Sequence, residues 1–319
     1  MTPWRTVSVI VPPHTENFGS GRRLPAPEYL DRLTAHLAAA ARAGAVGAFA
    51  YDFPAAIDPW LAAFDVLNGS VLQPIVAVRP HQEGAETVAR RLLGLGYRFG
   101  RPTHVNLVSG ATAAARAAGD GGDKAAARQR LGRFAADLRA ELDRHADTAY
   151  TAGPSSPLLI TPSSSTPGVV PVDLVLMMAR PRPALAKEIA RIREEQGVER
   201  VALLIGLLVR DTEEQAWEAA AELYPADRRK QLSTKMFMAQ VVSSEHRAAL
   251  AFGGDGTVQD ERLWYGFPTF GLDAPKLVGS VAQARDWLAA CAEIGVTDLI
   301  VDLPADPGEY ARMRPLLTP

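Results

Sequence analysis

Eight short runs rich in β-branched and other apolar residues punctuate the chain, at residues 6–11, 46–51, 74–78, 104–108, 157–161, 173–178, 200–209 and 298–302. Most are apolar almost without interruption, as strands read when both faces of their sheet are covered. Between them lie segments at 27–43, 59–67, 84–94, 123–145, 184–196, 211–224, 230–251 and 281–293 whose apolar residues recur at spacings of three and four. That is the helical period, and strands alternating with such helices are parallel strands joined by crossovers. Eight units in 319 residues fit one closed (β/α)8 barrel, a TIM barrel of the α/β class, better than a doubly wound sheet. The whole chain, 1–319, is read as one barrel domain.

Two segments exceed what simple connections need. Residues 111–122, rich in Ala and Gly, read as a loop. Residues from about 225 to 276 form an insertion between the seventh and eighth strands, with a helix of its own and the run Leu263-Trp264-Tyr265-Gly266-Phe267. Long loops in compact domains are usually lids or binding loops. Trp264, Tyr265, Phe267 and Phe270 either close over a substrate or pack onto the barrel or a subunit partner.

A formal net charge of -2 leaves no electrostatic footprint for nucleic acid or an anionic membrane surface. The longest apolar stretches, such as 201–209, fall well short of the roughly 18 to 20 residues that span a bilayer. No basic region with a long apolar stretch and cleavage site opens the chain, and its single cysteine, Cys291, excludes an intramolecular disulfide. A cytoplasmic protein is expected, with Cys291 as core packing.

Barrels place their chemistry at the carboxyl ends of the strands. The polar residues at those positions are His14, Tyr51, Asp52, Arg79, His81, Asn106, Ser109, Thr161, Ser163, Ser164, Ser165, Arg180 and Asp302. The six histidines form no paired spacing with carboxylates or thiols, so no metal site is expected, and no Gly-x-Ser-x-Gly elbow occurs. The lack of a self-sufficient constellation points to chemistry supplied by a cofactor. The charged segment 187–195 reads as a solvated outer helix face.

Five stretches, in order, resemble the luciferase-like flavin monooxygenases, nearest to the alkanesulfonate monooxygenase branch. Val11-Pro12-Pro13-His14 is similar to that branch's Pro-Thr-His, Arg79-Pro80 to its Leu-Arg-Pro, and Asn106-Leu107-Val108-Ser109-Gly110 to its Asn-Leu-Val-Thr-Gly. Arg210-Asp211-Thr212-Glu213-Glu214 with Ala216-Trp217 resembles its Arg-Asp-Thr-Glu-Glu-Glu-Ala-Trp. Leu277-Val278-Gly279-Ser280, followed by Gly295-Val296-Thr297-Asp298, resembles its last helix and strand. Where the branch carries Arg-x-His on its seventh strand, this chain has Leu204-Ile205-Gly206, and Ala56 stands at the position of its cysteine. The family's Arg-Tyr helix motif corresponds to Ala127-Arg128.

The resemblance implies reduced FMN, delivered by a separate flavin reductase as a transient partner, and oxygenation of a small, non-sulfonate organic substrate with dioxygen. It implies Asn106 and Ser109 beside the flavin, and Ser163, Ser164 and Ser165 as donors to its phosphate. His14 is then either a catalytic proton carrier or a packing residue, and Arg79 either holds an anion or forms an ion pair at the mouth. A homodimer or higher homo-oligomer is expected. Two other readings stay open: a non-catalytic flavin-binding or partner subunit of a heterodimer, and a deazaflavin-dependent dehydrogenase.

Overall fold

The computed structural model describes residues 4–17, 20–52, 57–108, 124–145, 156–165, 171–226, 232, 257–266 and 274–318. Eight parallel strands follow one another around a closed barrel: β1 (Val7–Ile10), β4 (Gly47–Ala50), β5 (Gln73–Val78), β6 (His104–Leu107), β7 (Leu159–Pro162), β8 (Leu174–Met178), β9 (Val201–Arg210) and β13 (Asp298–Val301). The ring closes where β13 pairs with β1, Val7 opposite Leu299. These are the eight apolar runs of the sequence. Their continuous apolar character has its cause here, since side chains of both parities are buried, one set in the barrel and the other under helices.

The described helices are α1 (Ala26–Arg42), α2 (Pro59–Gly69), α3 (Ala85–Phe99), α4 (Lys124–Arg144), α5 (Arg182–Gln196), α6 (Glu213–Leu223), α7 (Val281–Ile294) and α8 (Glu309–Leu317). Local signals set several ends. Asp58 caps α2 by accepting from the Trp60 and Leu61 amides, and Ser280 with Gln283 forms a reciprocal capping box on α7. Helix α3 runs beyond the expected stop at Gly94. Interior glycines cost about 1 kcal/mol each against Ala, yet the Phe99 ring, edge-on to Phe64 at 5.6 Å, holds the added turn. The helix stops at Gly100, whose φ of 65° is left-handed.

Three features were not anticipated from the sequence. Strands β2 (Thr15–Asn17) and β3 (Ser20–Arg23) form an antiparallel hairpin after β1. Helix α8 follows the last barrel strand. Within the insertion, β10 (Thr257–Gln259), β11 (Leu263–Tyr265) and β12 (Lys276–Ser280) attach to the barrel through β9. Apart from Leu232, the expected helix at 230–251 lies outside the described residues, as does the loop at 111–122.

Strand β9 changes partner halfway. Ala202–Ile205 pair with β13, whereas Gly206–Arg210 pair with β12, which continues the line of β13 along the same edge. At that junction Lys276 Nζ meets Asp302 Oδ2 at 2.9 Å, both side chains almost fully buried. Position 206 must be small: a Cβ on Gly206 would lie 2.6 Å from Lys276 Cγ.

The amino-terminal end of the barrel is closed by polar side chains. Thr6 Oγ1 (2.5 Å) and Arg200 Nη2 (2.6 Å) donate to Asp298 Oδ1. His104 Nδ1 accepts the Leu158 amide at 3.0 Å, so the ring proton sits on Nε2 and is donated to Gln73 Oε1 at 3.0 Å. A second ring proton would face an N–H. Burial first, then Arg200, pushes the His104 pKa down from 6.5 to about 4.

The folded chain therefore refuses a proton that the unfolded chain accepts between those values. Stability contributed by neutral His104 is present above pH 6.5, falls as the pH drops toward about 4, and is then constant. The loss amounts to about 3 kcal/mol. Because His36 is pushed down to about 4 as well, the measurement is a difference: denaturant unfolding of a His104→Gln variant should show a shallower decline below pH 6.5 than the parent. Parallel declines would refute this.

Candidate active site at the carboxyl-terminal mouth

Alternation along the strands identifies which side chains face into the barrel. At the floor these include Ser8, Gly47, Gln73, His104, Ile160 and Ala202. Further along each strand the same face approaches the opposite, carboxyl-terminal mouth. Asn106 lies on that face, two residues after His104 and one before the end of β6. It is 2% exposed, and its Oδ1 has no hydrogen-bond partner among the described residues. An unpartnered buried acceptor costs stability and is a feature to be explained by what docks against it.

Asp52 and Arg79 follow β4 and β5. Arg79 donates from Nε and Nη2 to the two carboxylate oxygens of Asp52, and both side chains are close to 10% exposed. Of the two roles open to Arg79, the structure places it in the ion pair. Its fork is committed to Asp52, and its charge is neutralised at the rim.

His14 follows β1, with its carbonyl fixed by the Leu24 amide at 2.9 Å. The imidazole is half-buried, edge-on to the Tyr29 ring at 6.5 Å, and its Nδ1 has no partner among the described residues. Burial, and then the Arg23 charge, hold its pKa below 6.5. The ring is thus neutral near pH 7 and able to accept a proton.

After β7 the chain makes a 3-10 turn at Ser163–Ser165. Ser163 is buried, and its hydroxyl hydrogen-bonds Glu188. Its carbonyl accepts from Arg191 Nη2 at 3.4 Å. The half-buried Ser164 offers its carbonyl to Arg128 Nη2 at 3.5 Å. The side chain of Ser165 and all of Ser109 lie outside the described residues. Two corrections follow. Segment 187–195 is not only a solvated face, since Glu188 and Arg191 anchor the turn. Arg128, named in the sequence only as a motif position, joins the candidate site: it reaches the turn, and no carboxylate forms an ion pair with it among the described residues.

The aromatic segment of the insertion packs onto the barrel. Tyr265 is fully buried and donates its hydroxyl to the Ala179 carbonyl at 3.2 Å. Trp264 stacks edge-on with Trp217 and Tyr224 at 6.0 and 6.3 Å. Phe267 and Phe270 lie outside the described residues. Among those residues no cluster of three or more His, Cys, Asp or Glu is placed to share a metal ion, and no helix is long and apolar enough to cross a membrane.

No family model matches the chain. A curated relative, the 4-(gamma-L-glutamylamino)butanoyl-(BtrI acyl-carrier protein) monooxygenase BtrO of Niallia circulans, is 22% identical over 281 residues, 81% of this chain and 82% of that protein. Among solved structures, the EDTA monooxygenase EmoA from Chelativorans sp. BNC1 superposes with a TM-score of 0.67 at 14% identity, covering 98% of this chain and 93% of that one. The oxygenating constituent of 3,6-diketocamphane monooxygenase from Pseudomonas putida, in complex with FMN, gives 0.62 at 15%, covering 99% and 96%. An F420-dependent secondary alcohol dehydrogenase gives 0.61 at 11%, covering 99% and 100%. The resemblance found in the sequence extends to the architecture: this chain has the fold of the luciferase-like flavin monooxygenases.

Proposed function

We propose that this protein is a two-component flavin monooxygenase that uses reduced FMN, supplied by a separate reductase, and dioxygen to oxygenate a small organic substrate other than a sulfonate. The observation that carries the reading is the cradle at the mouth, where Arg128 stands beside the Ser163–Ser165 turn and the orphan acceptor of Asn106 faces the barrel. A phosphorylated flavin fits these residues. Arg128 offers a guanidinium to the phosphate, Ser164 lies beside it, and Asn106 Oδ1 is a ready acceptor for a ring N–H.

When bound, reduced flavin supplies the two electrons with which one atom of dioxygen enters the substrate and the other leaves as water. The chain's own residues bind, orient and move protons. Neutral His14 takes or returns a proton at Nδ1, within a mouth whose rim charge is cancelled by the Asp52–Arg79 pair. Over Gly206, at the place of the sulfonate branch's Arg-x-His, lies an ammonium already neutralised by Asp302. That arrangement disfavours a sulfonate and suits an uncharged or weakly polar group. The amide-bearing, carrier-linked acyl group in the relative's name makes carrier-bound acyl amides the first compounds to assay.

Anaerobic titration tests the cofactor. Reduced FMN should bind the parent more tightly than reduced riboflavin, and Arg128→Ala should abolish most of that preference, a loss of about 1.5–3 kcal/mol for charged hydrogen bonds. Equal binding of FMN and riboflavin would refute the phosphate site. A deazaflavin-dependent dehydrogenase is the second reading, favoured by the shared fold with the F420-dependent enzyme. Tight binding of reduced F420, with turnover in the absence of oxygen, would put it first.

A further inference from the structure

The polar floor of the barrel is not filled. Barrels of this type pack each interior layer with bulky branched side chains. Here the inward floor positions on β9, β13, β1 and β4, consecutive in the ring, are Ala202, Asp298, Ser8 and Gly47. A recess of about 30 Å³ remains. One water needs roughly 10–15 Å³, so the recess takes two or three groups of that size. It opens at Val46, which lines it and is 46% exposed. Gly47 keeps it open, since a Cβ there would collide with Ser8 Oγ.

The hydrogen bonds behind the recess decide which polar groups it offers. His104 accepts the Leu158 amide at Nδ1 and therefore gives its Nε2 proton to Gln73 Oε1. That contact fixes which way round the Gln73 carboxamide stands and leaves its N–H donors over. Asp298 is occupied on both oxygens, by Thr6 and Arg200 on one and by Thr297 on the other. Two donors remain, the Gln73 amide N–H and the Ser8 hydroxyl. Both residues line the recess, and neither donor has a hydrogen-bond partner among the described residues. The walls around them are apolar, with Ile75, Leu174 and Ile300 among them.

We propose that this recess is a binding site for a small neutral carbonyl compound, a short-chain ketone or aldehyde, at the end of the barrel opposite the candidate active site. A carbonyl oxygen carries two lone pairs and no proton, so it accepts from Gln73 and Ser8 together. Its alkyl branches displace water from the apolar walls. A carboxylate would bring its charge beside Asp298, and an ammonium would bring donors to a place where the carboxylate oxygens are already taken. The inference does not depend on the proposed reaction.

Acetone is the probe, titrated into the isotope-labelled full chain and followed by NMR. The Gln73 side-chain amide signals and the Ser8 and Gly47 backbone signals should move along one saturable curve, with a dissociation constant in the millimolar range. Ser8→Ala removes one donor and leaves the space, and it should raise that constant about fivefold, the effect of one hydrogen bond. Ser8→Val fills the recess and should abolish the saturable shift. Shifts that grow linearly without saturating overturn the proposal, as do shifts that saturate at Asn106 and His14 while Gln73 stays still. A dissociation constant unchanged in Ser8→Ala overturns it as well. Should Ser8→Val fail to fold, the parent and Ser8→Ala titrations still decide both the place and the contact.

Discussion

A Lys276→Met variant should unfold about 3–5 kcal/mol more easily than the parent, the usual effect of removing one partner from a buried ion pair. For a chain of 319 residues this corresponds to a fall in Tm of roughly 5–8 °C. Lys276 and Asp302 are both under 10% exposed and 2.9 Å apart, so without the ammonium Asp302 must either stay charged among apolar neighbours or take up a proton. The Tyr224 ring, 5.0 Å from the ammonium, cannot substitute for it. Adding Asp302→Leu should recover most of the loss, because a buried pair replaced by apolar side chains is close to neutral. Calorimetry of parent, single and double variants measures both steps. If the single variant melts with the parent, or the double variant is worse than the single, the pair does not staple β12 to β13 as described.

The second large effect concerns turnover. His14→Ala should lower product formation by about 10²–10⁴, the range of a lost general acid or base, while leaving Tm within a few degrees. Oxygen consumption should continue in part and appear as hydrogen peroxide, because a site that cannot deliver its proton uncouples flavin oxidation from product. The pH profile gives a second readout. With a pKa held below 6.5 by burial, the working form is neutral, so the parent's acid limb should lie below pH 6.5 and vanish in the variant. A parent rate retained in His14→Ala would return the residue to packing against Tyr29.

The barrel was legible because its strands are covered on both faces, which makes Val201 to Val209 apolar regardless of parity. The hairpin Thr15–Asn17 and Ser20–Arg23 was not, since its strands are three and four residues long, polar, and without an apolar period. Helix α8 was not anticipated: it is nine residues long and carries Pro315 in its last turn, and it is held by the burial of Tyr310, Met313, Leu316 and Leu317. Candidate positions followed from the rule about strand ends, which picked out Asn106, His14, Asp52 and Arg79. It said nothing of pairing. Lys276 escaped notice because its partner lies on another element and its place depends on β9 exchanging β13 for β12 at Gly206. Arg128 escaped because a helix facing outward in sequence sends one long side chain back to the turn after β7.

That exchange of partners on β9 also bears on how such a protein can diversify. The insertion leaves the end of α6 and returns as β12 to the upper half of β9. Its two ends are neighbours, with the Tyr224 ring 5.0 Å from the Lys276 ammonium, and the ring of eight strands is closed without it. Closing a loop between fixed neighbouring ends costs only about 0.6 kcal/mol more for each doubling of its length. The segment between can be lengthened, shortened or exchanged for another while strand register and floor remain as they are, which makes it a cassette anchored at the carboxyl-terminal half of β9.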